Sequence, residues 1–436
     1  GRALGPATDV ARHGFVVDDT FRSQVDENID IFDDFTSTRA LYLPGGEPPK
    51  VGSVFRNPDL AATYELLARS GSGTLYRGPL GAEIAQTVQN PPVAPDANRV
   101  VRTGSMTAAD LARYRAVSRA PTHVGYHGLD VYGMGPPSSG GSTVGEALNI
   151  LATQHLSPAD QTAALHAYLE ASALAYADRN RYVGDPDQED VPLPQLLSPG
   201  FAAERGCLID PASVLPKPVA PGVPDGHYSG CGDAARAGST GHGEGLSTTH
   251  VTTSDRWGNV VAYTLTIEAT GGSGMVVPGR GFLLNNELTD FNFTPTQGDA
   301  HDPNLPAAGK RPRSSISPTI VLDDGRPFLA VGSPGGATII TTVLQTLVNR
   351  LDLGMTLPEA VAAPRASSRN TALEAEPAFL ASAVGAALVA KGHAFKQVPE
   401  IGAETGIEFG RNGFVQAVAE PTRRGGGSAM VVRPAR

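Results

Sequence analysis

Long apolar runs are absent from this chain of 436 residues. The longest, near Ala378 to Ala390, has about thirteen residues and several alanines. A helix that crosses a bilayer needs about 20 apolar residues, so we predict a buried helix there and no membrane span. Gly1 is not followed by a charged and then apolar segment, so no signal peptide is visible. The pattern from Thr8 to Phe15 is typical of the end of a helix, and we therefore expect residues upstream of Gly1.

Positive charge is also scarce. The 34 Lys and Arg residues stand against 44 Asp and Glu residues, which gives a net charge of −10. The sequence has no basic stripe and no cluster of arginines with aromatic residues. Nucleic acid is therefore not an expected partner.

Cysteine is rare, and Cys207 and Cys231 lie in one segment rich in proline and glycine. A disulfide that closes a loop of about 24 residues and two unpaired thiols both fit, because the sequence gives no distance between the sulfurs. His166, His242 and His250 lack metal-ligand spacing among themselves and with the cysteines. We expect neither a metal nor an organic cofactor.

Hydrophobic residues make up 40% of the chain, enough for a substantial core, while 51 glycines and 36 prolines indicate short elements and many turns. Apolar residues spaced by three and four predict that the first half is mainly helical, with helices at 60–70, 107–114, 143–151 and 162–182. The second of these begins with a capping box of Thr107 and Asp110. Small and polar residues then dominate 211–247, which predicts a flexible connection.

The hydrophobic period changes to two directly after this connection. Residues 248–253 and 260–267 alternate around the turn sequence DRWGN, which predicts a β-hairpin. Further strands are predicted at 282–285, 317–322, 327–331, 414–419 and 428–432, and helices at 337–351, 357–363 and 377–391. Helices combined with antiparallel strands predict a layered α/β sandwich built largely by the second half.

Thr248 stands where the flexible connection meets the first strand of the hairpin. A hydroxyl residue at such a junction can attack the preceding carbonyl, and the resulting ester can be hydrolysed to free the residue's own α-amino group. That amine has an ordinary pKa of about 7.7–8.0, so it can act as the general base for its own side chain. The alternative is that Thr248 and Thr249 are ordinary strand threonines, which are common.

Six segments resemble the γ-glutamyltranspeptidase family in order, spacing and residue type. They are PPSSGGSTVGEALNIL, AYADRNRYVGDPD, TTHVTTSDRWGNVVAYTLTIEATGGSG, GFLLNNELTDF, KRPRSSISPTIV and GSPGGATIITTVLQ. The resemblance runs from about Asp9 to nearly the C-terminus. It implies an α+β fold, the four-layer αββα sandwich of the N-terminal-nucleophile hydrolases.

The resemblance also implies a precursor that cuts itself between Ser247 and Thr248. Residues 1–247 would then form the larger subunit, and residues 248–436 the small catalytic subunit that stays bound to it. Thr248 matches the family nucleophile. Thr266 matches the threonine whose hydroxyl contacts that nucleophile and helps to position it.

Two more groups of site residues follow from the resemblance. Gly335 and Gly336 match the oxyanion-hole glycines, whose backbone N–H groups can approach the carbonyl oxygen that becomes negative during acyl transfer. Ser314 and Ser315 match the pair that binds the α-carboxylate of the glutamyl group, Glu287 and Asp290 match the acids that bind its α-amino group, and Glu268 stands where better-known members have asparagine in the substrate-binding wall.

The sequence also departs from the family pattern. The family's carboxylate-binding arginine lies upstream of residue 1, so we expect the N-terminal part of the family fold to be missing from this chain. The sequence GGSG at 271–274 replaces a segment that contains an aromatic residue. The loop 293–310, a lid in many members, is short and has no tyrosine, which predicts an open acceptor side.

The leading functional hypothesis is an enzyme that cleaves γ-glutamyl amides such as glutathione through a γ-glutamyl ester of Thr248, and passes the acyl group to water, an amino acid or a peptide. The first alternative is an N-terminal-threonine acylase or a biosynthetic amidohydrolase with another acyl group, for which Glu268 and the short loop leave room. A non-catalytic binding protein is the second alternative, and the intact set of site residues argues against it. The family's export pattern implies a periplasmic or secreted protein.

Overall fold

A computed structural model describes residues 2–228, 248–411 and 413–432. The chain divides into two compact units, Gly1–Ser118 with Ile267–Glu287, and Arg119–Thr266 with Leu288–Arg436. The second unit contains residues from both sides of the expected cut at 247/248, so the two units do not coincide with the two expected subunits. The cut itself stays a prediction. Ser247 and Cys231 lie outside the described residues, and within them there is no free cysteine.

The first unit is mainly helical, as its sequence predicted. Two small cores hold it together, one around Phe32 and one around Leu80 and Val277. Its elements are α1 (Gly5–His13), α2 (Asp19–Asp26), α3 (Ile29–Phe32), α4 (Thr36–Tyr42), α5 (Pro58–Ser70), α6 (Gly73–Tyr76), α7 (Pro79–Gln89), α8 (Ala108–Arg113), β1 (Phe15–Val16) and β2 (Val54–Phe55).

The second unit contains the larger core and most of the strands. Its helices are α9 (Gly140–Leu151), α10 (Gln161–Tyr182), α11 (Leu193–Leu196), α12 (Pro199–Gly206), α13 (Thr338–Leu351), α14 (Leu357–Ala362), α15 (Pro377–Leu380) and α16 (Ala383–Lys391). Its strands are β3 (Thr122–Tyr126), β4 (Leu129–Gly133), β5 (Thr248–Ser254), β6 (Val260–Thr266), β7 (Thr319–Asp323), β8 (Arg326–Gly332), β9 (Ala366–Ser367), β10 (Leu373–Ala375), β11 (Phe395–Gln397), β12 (Thr405–Phe409) and β13 (Val415–Ala419).

A six-stranded antiparallel sheet in the order β13-β12-β8-β7-β4-β3 organises the second unit. Side chains alternate between the two faces of a strand. On β8, Leu329 and Val331 belong to the core formed with the helices, and Gly332 contacts the hairpin of β5 and β6. Helices therefore cover one face of the sheet and the hairpin covers the other, which is the layering expected of the sandwich.

Helix α10 is the central helix of this unit. It is buried along its length from Ala164 to Asn180, because small and apolar residues occur on every side of it. It packs against α9, α12, α13 and α16. No helix in the described part of the chain is long and apolar enough to cross a bilayer.

Several sequence predictions need correction. Residues 282–285 form no strand, only an isolated bridge between Val276 and Leu283, in a segment whose glycines take left-handed conformations. Residues 428–432 are exposed and form no strand. The helix predicted at 377–391 is two helices, because Ser382 caps a new one. Strands β1 to β4 and β9 to β12 were not predicted, and β3 and β4 bring residues of the first half of the chain into the main sheet.

Candidate active site

Thr248 is the first residue of β5 and Thr266 is the last residue of β6. The antiparallel register sets the two residues opposite each other, and Thr248 Oγ1 donates a hydrogen bond to Thr266 Oγ1 at 3.2 Å. Both side chains lie on the half-buried face of the hairpin. The strand end therefore brings together two hydroxyl groups that are eighteen residues apart in the sequence.

His250 lies on the same face of β5, two residues further on. Its ring nitrogens are 2.8 Å from Thr264 Oγ1 and 3.0 Å from Thr252 Oγ1. Burial lowers the pKa of His250 to about 4, so the ring is neutral at pH 7. A side chain at Gly332 would lie within 2.2 Å of this ring. His250 thus has a core role, and it fixes the strand of Thr248 against the end of β8.

Gly335 and Gly336 form a buried turn between β8 and α13. Their φ angles are +139° and +55°, which favour glycine. Their carbonyl groups accept hydrogen bonds from the backbone N–H groups of Thr338 and Ile339, both at 3.1 Å. Their own N–H groups donate to no residue of the described segments. Two buried N–H groups at the start of a helix are suited to stabilise a negative oxygen.

Ser314 and Ser315 are held by the SSGG segment at the start of α9. Ser139 donates to the Ser314 carbonyl from both its N–H and its Oγ, each at 2.8 Å, and Ser138 Oγ donates to the Ile316 carbonyl at 2.5 Å. The Oγ of Ser314 accepts from the Ile316 N–H at 3.3 Å. The backbone on both sides of Ser315 is therefore held by the start of α9.

The three acidic positions are divided between the units. Glu268 and Glu287 belong to the first unit and Asp290 to the second, and Glu287–Asp290 is a turn of 3₁₀ helix along the chain. Glu268 is buried with a left-handed φ of +72°, and its carboxylate accepts a hydrogen bond from Asn286. Glu268 thus has a fixed backbone and side chain beside the segment that leads to Glu287.

Asp302 organises the short loop 293–310. Its carboxylate accepts from the backbone and side chain of Thr296, from the Nδ2 of Asn292 and from the backbone of Asn304. Burial opposes ionisation of Asp302, but these hydrogen bonds outweigh it and hold its pKa below the ordinary value. The side chain of Asn304 in turn donates to the carbonyl of Asp290 at 2.7 Å.

A second polar cluster contains residues whose grouping the sequence did not reveal. The nearest ring nitrogens of His166 and His393 are 2.8 Å apart, and these side chains and Glu170 place potential metal-ligand atoms within 4.8 Å of one another. Lys217 Nζ donates to Glu170 Oε1 at 2.7 Å. Two histidines and a glutamate are a competent zinc set, but the ammonium of Lys217 already supplies the positive charge at Glu170.

Comparison with known proteins bears on this geometry. The family model "Gamma-glutamyltranspeptidase" matches residues 1–430. The chain belongs to the gamma-glutamyltranspeptidase family. Glutathione hydrolase proenzyme of Bacillus subtilis (strain 168) is 36% identical to it over 426 residues, which cover 97% of this chain and 70% of that relative.

Other members of the family carry a different activity in their names. Acylase ACY 1 proenzyme of Pseudomonas sp. (strain SE83) is 33% identical over 419 residues, which cover 95% of this chain and 69% of that relative. Cephalosporin acylase from Bacillus halodurans superposes with a TM-score of 0.80 at 26% identity, over 98% of this chain and 73% of that one. The fold is thus the N-terminal-nucleophile hydrolase sandwich, as the sequence predicted, in a family that includes both glutathione hydrolases and acylases.

This chain of the gamma-glutamyltranspeptidase family is shorter than its relatives. It spans 54% to 70% of the length of the curated relatives compared with it. The roles of the site residues remain predictions, and the structure supplies their local geometry.

Proposed function

We propose that this protein is a self-processing γ-glutamyl hydrolase and transferase. The observation that carries the proposal is the contact of 3.2 Å between the hydroxyls of Thr248 and Thr266 at the start of β5. A hydroxyl that directly follows the proposed cut, beside a second hydroxyl that orients it, is what N-terminal-threonine chemistry requires.

The first reaction is the self-cleavage. Thr248 Oγ1 attacks the carbonyl carbon of Ser247, the amide bond between the two residues breaks as the hydroxyl proton passes to the Thr248 nitrogen, and an ester forms. Water then hydrolyses the ester, which leaves a carboxylate on Ser247 and a free α-amino group on Thr248. The two products, residues 1–247 and 248–436, stay together as large and small subunits.

The second reaction is acyl transfer. Thr248 Oγ1 attacks the γ-carbonyl carbon of the donor while its proton passes to its own α-amino group and then to the leaving amine. The N–H groups of Gly335 and Gly336 stabilise the carbonyl oxygen while it is negative. Water or an amino acid then attacks the ester and restores the hydroxyl. Within the second unit, Ser314 and Ser315 are proposed to bind the donor's α-carboxylate and Asp290 its α-amino group, while the assignments of Glu268 and Glu287 stay predictions.

An acylase that takes another acyl group is the second candidate. It is favoured by the 33% identity to Acylase ACY 1 and the TM-score of 0.80 to cephalosporin acylase. Both candidates share the threonine chemistry and differ in the acyl group. The proposed location, in the periplasm or outside the cell, fits either one.

A denaturing gel and a comparison of donors test the proposal. Purified protein should show two pieces cut at 247/248, and it should cleave γ-glutamyl-p-nitroanilide faster than glutaryl and adipyl anilides.

In Asp290→Asn, kcat/KM should fall about 10- to 100-fold for the γ-glutamyl donor and much less for the glutaryl donor, which lacks the amine. Faster cleavage of the glutaryl or adipyl anilide by the wild type would establish the acylase candidate instead.

A further inference from the structure

We propose that Arg179 makes the site selective for acyl donors that carry a carboxylate, because it fixes the hydroxyl of Ser315 as a hydrogen-bond donor. The inference rests on the proposed function, since it assigns Ser315 to the donor's carboxylate. Arg179 would be a positioning residue, acting on the substrate only through Ser315.

The guanidinium of Arg179 is a buried fork between two serines. It lies in the last turn of α10 with 4% of the residue exposed. Its Nη2 donates to Ser315 Oγ and its Nε donates to Ser139 Oγ, both at 2.7 Å. The carbon of the guanidinium lies 5.4 Å from the centre of the Tyr176 ring. Its Nη1 also donates to Asn180 Oδ1 at 2.9 Å, so hydrogen bonds from all three nitrogens and the stacked ring fix its plane.

The hydrogen bond from Arg179 determines whether the Ser315 hydroxyl donates to a ligand or accepts from it. An oxygen that accepts from a guanidinium must direct its own hydrogen elsewhere. Ser315 is 3% exposed, and its hydroxyl donates to no residue in the segments that the structure describes. Arginine cannot lose its proton in a protein, so this polarity persists at every working pH. A hydroxyl held as a donor and polarised by a cation suits a carboxylate oxygen.

The same helix also fixes the candidate oxyanion turn. Tyr176, three residues before Arg179, donates from its hydroxyl to the carbonyl of Ala337 at 2.5 Å. Ala337 directly follows Gly336. One buried helix therefore contacts both the serine proposed to bind the carboxylate and the turn proposed to stabilise the reacting carbonyl.

Three acyl donors distinguish a role of Arg179 in carboxylate binding from a general role in supporting the fold. The γ-glutamyl and glutaryl groups both carry the carboxylate, whereas the 4-aminobutyryl group carries the amine without it. In Arg179→Lys the charge remains but the two-armed contact is lost. We expect KM for the γ-glutamyl and glutaryl anilides to rise about 10- to 100-fold with a smaller change in kcat. The rate on the 4-aminobutyryl anilide, measured at raised enzyme concentration, should change less than threefold. Arg181→Lys is the matched control. Arg181 lies two residues further along α10, and within the described residues its guanidinium donates to the carbonyl of His301 and to neither serine.

A double-mutant cycle of Arg179 and Ser315 gives a second test, and this test does not require a rate on the slow 4-aminobutyryl anilide. If Arg179 acts through Ser315, Arg179→Lys should have almost no further effect in a Ser315→Ala background. Equal losses on all three donors, or independent effects in the cycle, would show that Arg179 only supports the fold. A wild type that cleaves glutaryl but not γ-glutamyl anilide would overturn the proposed function alone, since Arg179 is then tested on the glutaryl donor. Failure of cleaved wild type on every donor would overturn both proposals.

Discussion

A single hydroxyl can serve both reactions proposed for Thr248, since each begins with its attack on a carbonyl carbon. Before the cut the residue's nitrogen is an amide, and after the cut it is an amine that can take a proton. The contact with Thr266 Oγ1 holds the hydroxyl at the paired end of the hairpin. Self-cleavage and turnover are therefore expected to depend on the same atom.

Substitution of Thr248 tests this dependence. Thr248→Ala should remain a single chain and show no turnover, whereas Thr248→Ser should keep some of both activities because the hydroxyl and the future amine remain. Gel analysis and anilide hydrolysis measure the two effects. Thr249→Ala, at the exposed neighbouring position, is the control and should be processed normally. A Thr248→Ala protein cut at 247/248 would rule out Thr248 as the nucleophile in processing.

The turn of Gly335 and Gly336 makes a separate prediction at the scale of the residue. Gly336→Val should lower kcat about 10²- to 10³-fold, because a branched side chain at a φ of +55° moves the N–H donors away from the carbonyl oxygen. The control is Gly354→Val, which also has a positive φ but has open space around it, and should cost stability without a comparable loss of kcat. A folded, processed Gly336→Val enzyme with normal kcat would remove the turn from the mechanism.

At the scale of the elements, one close contact between β5 and β8 packs a ring against a glycine. The ring of His250 occupies the space where a side chain at Gly332 would lie, and Gly332 ends the strand that leads into the glycine turn. The strand of Thr248 and the turn are thereby kept at a fixed spacing.

Adding a methyl group at this contact should be costly. Gly332→Ala should lower the free energy of unfolding by about 1–3 kcal/mol through overpacking, and the same change in a His250→Ala background should cost less. Gly125→Ala is the control, since Gly125 lies on β3 with open space around it. Thermal unfolding of the four variants of the cycle measures the coupling. Additive losses would mean that the ring and the glycine do not set the spacing.

The success of prediction from sequence differed between elements for physical reasons. The β5–β6 hairpin and helices α5, α9 and α13 follow clear apolar periods, and α10 is a long run of small and apolar residues without a breaker. The bounds of these elements differ from prediction by at most three residues. The strands β3 and β4 are short and meet at His127 and Gly128, a tight turn that is not among the common turn pairs. The link from Ser139 to Ser314 spans 175 residues and the pair of His166 and His393 spans 227. Such contacts have no local signal in one sequence.

At the scale of the whole molecule, the unusual feature is a network of charges buried in the second unit. The carboxylates of Glu376, Glu404 and Glu420 surround the guanidinium groups of Arg365 and Arg423. Three acids face two cations, so full ionisation would leave one negative charge without compensation in a medium of low polarity. A retained proton relieves this excess.

Glu404 is the carboxyl group of this network whose pKa is raised. It is fully buried, and burial raises its pKa to about 7 although Arg365 and the hydroxyl of Thr346 favour its charged form. An unfolded glutamate titrates near 4.5, so the native state holds the proton more tightly. This contribution to stability is complete below about pH 4.5 and is lost as the pH rises through 7.

Glu404→Gln should remove this dependence on pH, because the amide has nearly the shape of the protonated acid and can still accept from Thr346. Between pH 5 and pH 8 the wild type should lose about 2–3 kcal/mol more stability than Glu404→Gln.

The control is Glu376→Gln in the same network. Burial opposes ionisation of Glu376, but its hydrogen bonds with Arg423 outweigh burial and hold its pKa below the ordinary value. That carboxylate is charged at both pH values, so its removal should destabilise the protein by similar amounts at pH 5 and pH 8. Thermal unfolding of the cleaved wild type, Glu404→Gln and Glu376→Gln proteins in matched buffers measures these stabilities. An equal dependence of stability on pH in the wild type and Glu404→Gln would show that the retained proton lies elsewhere in the network.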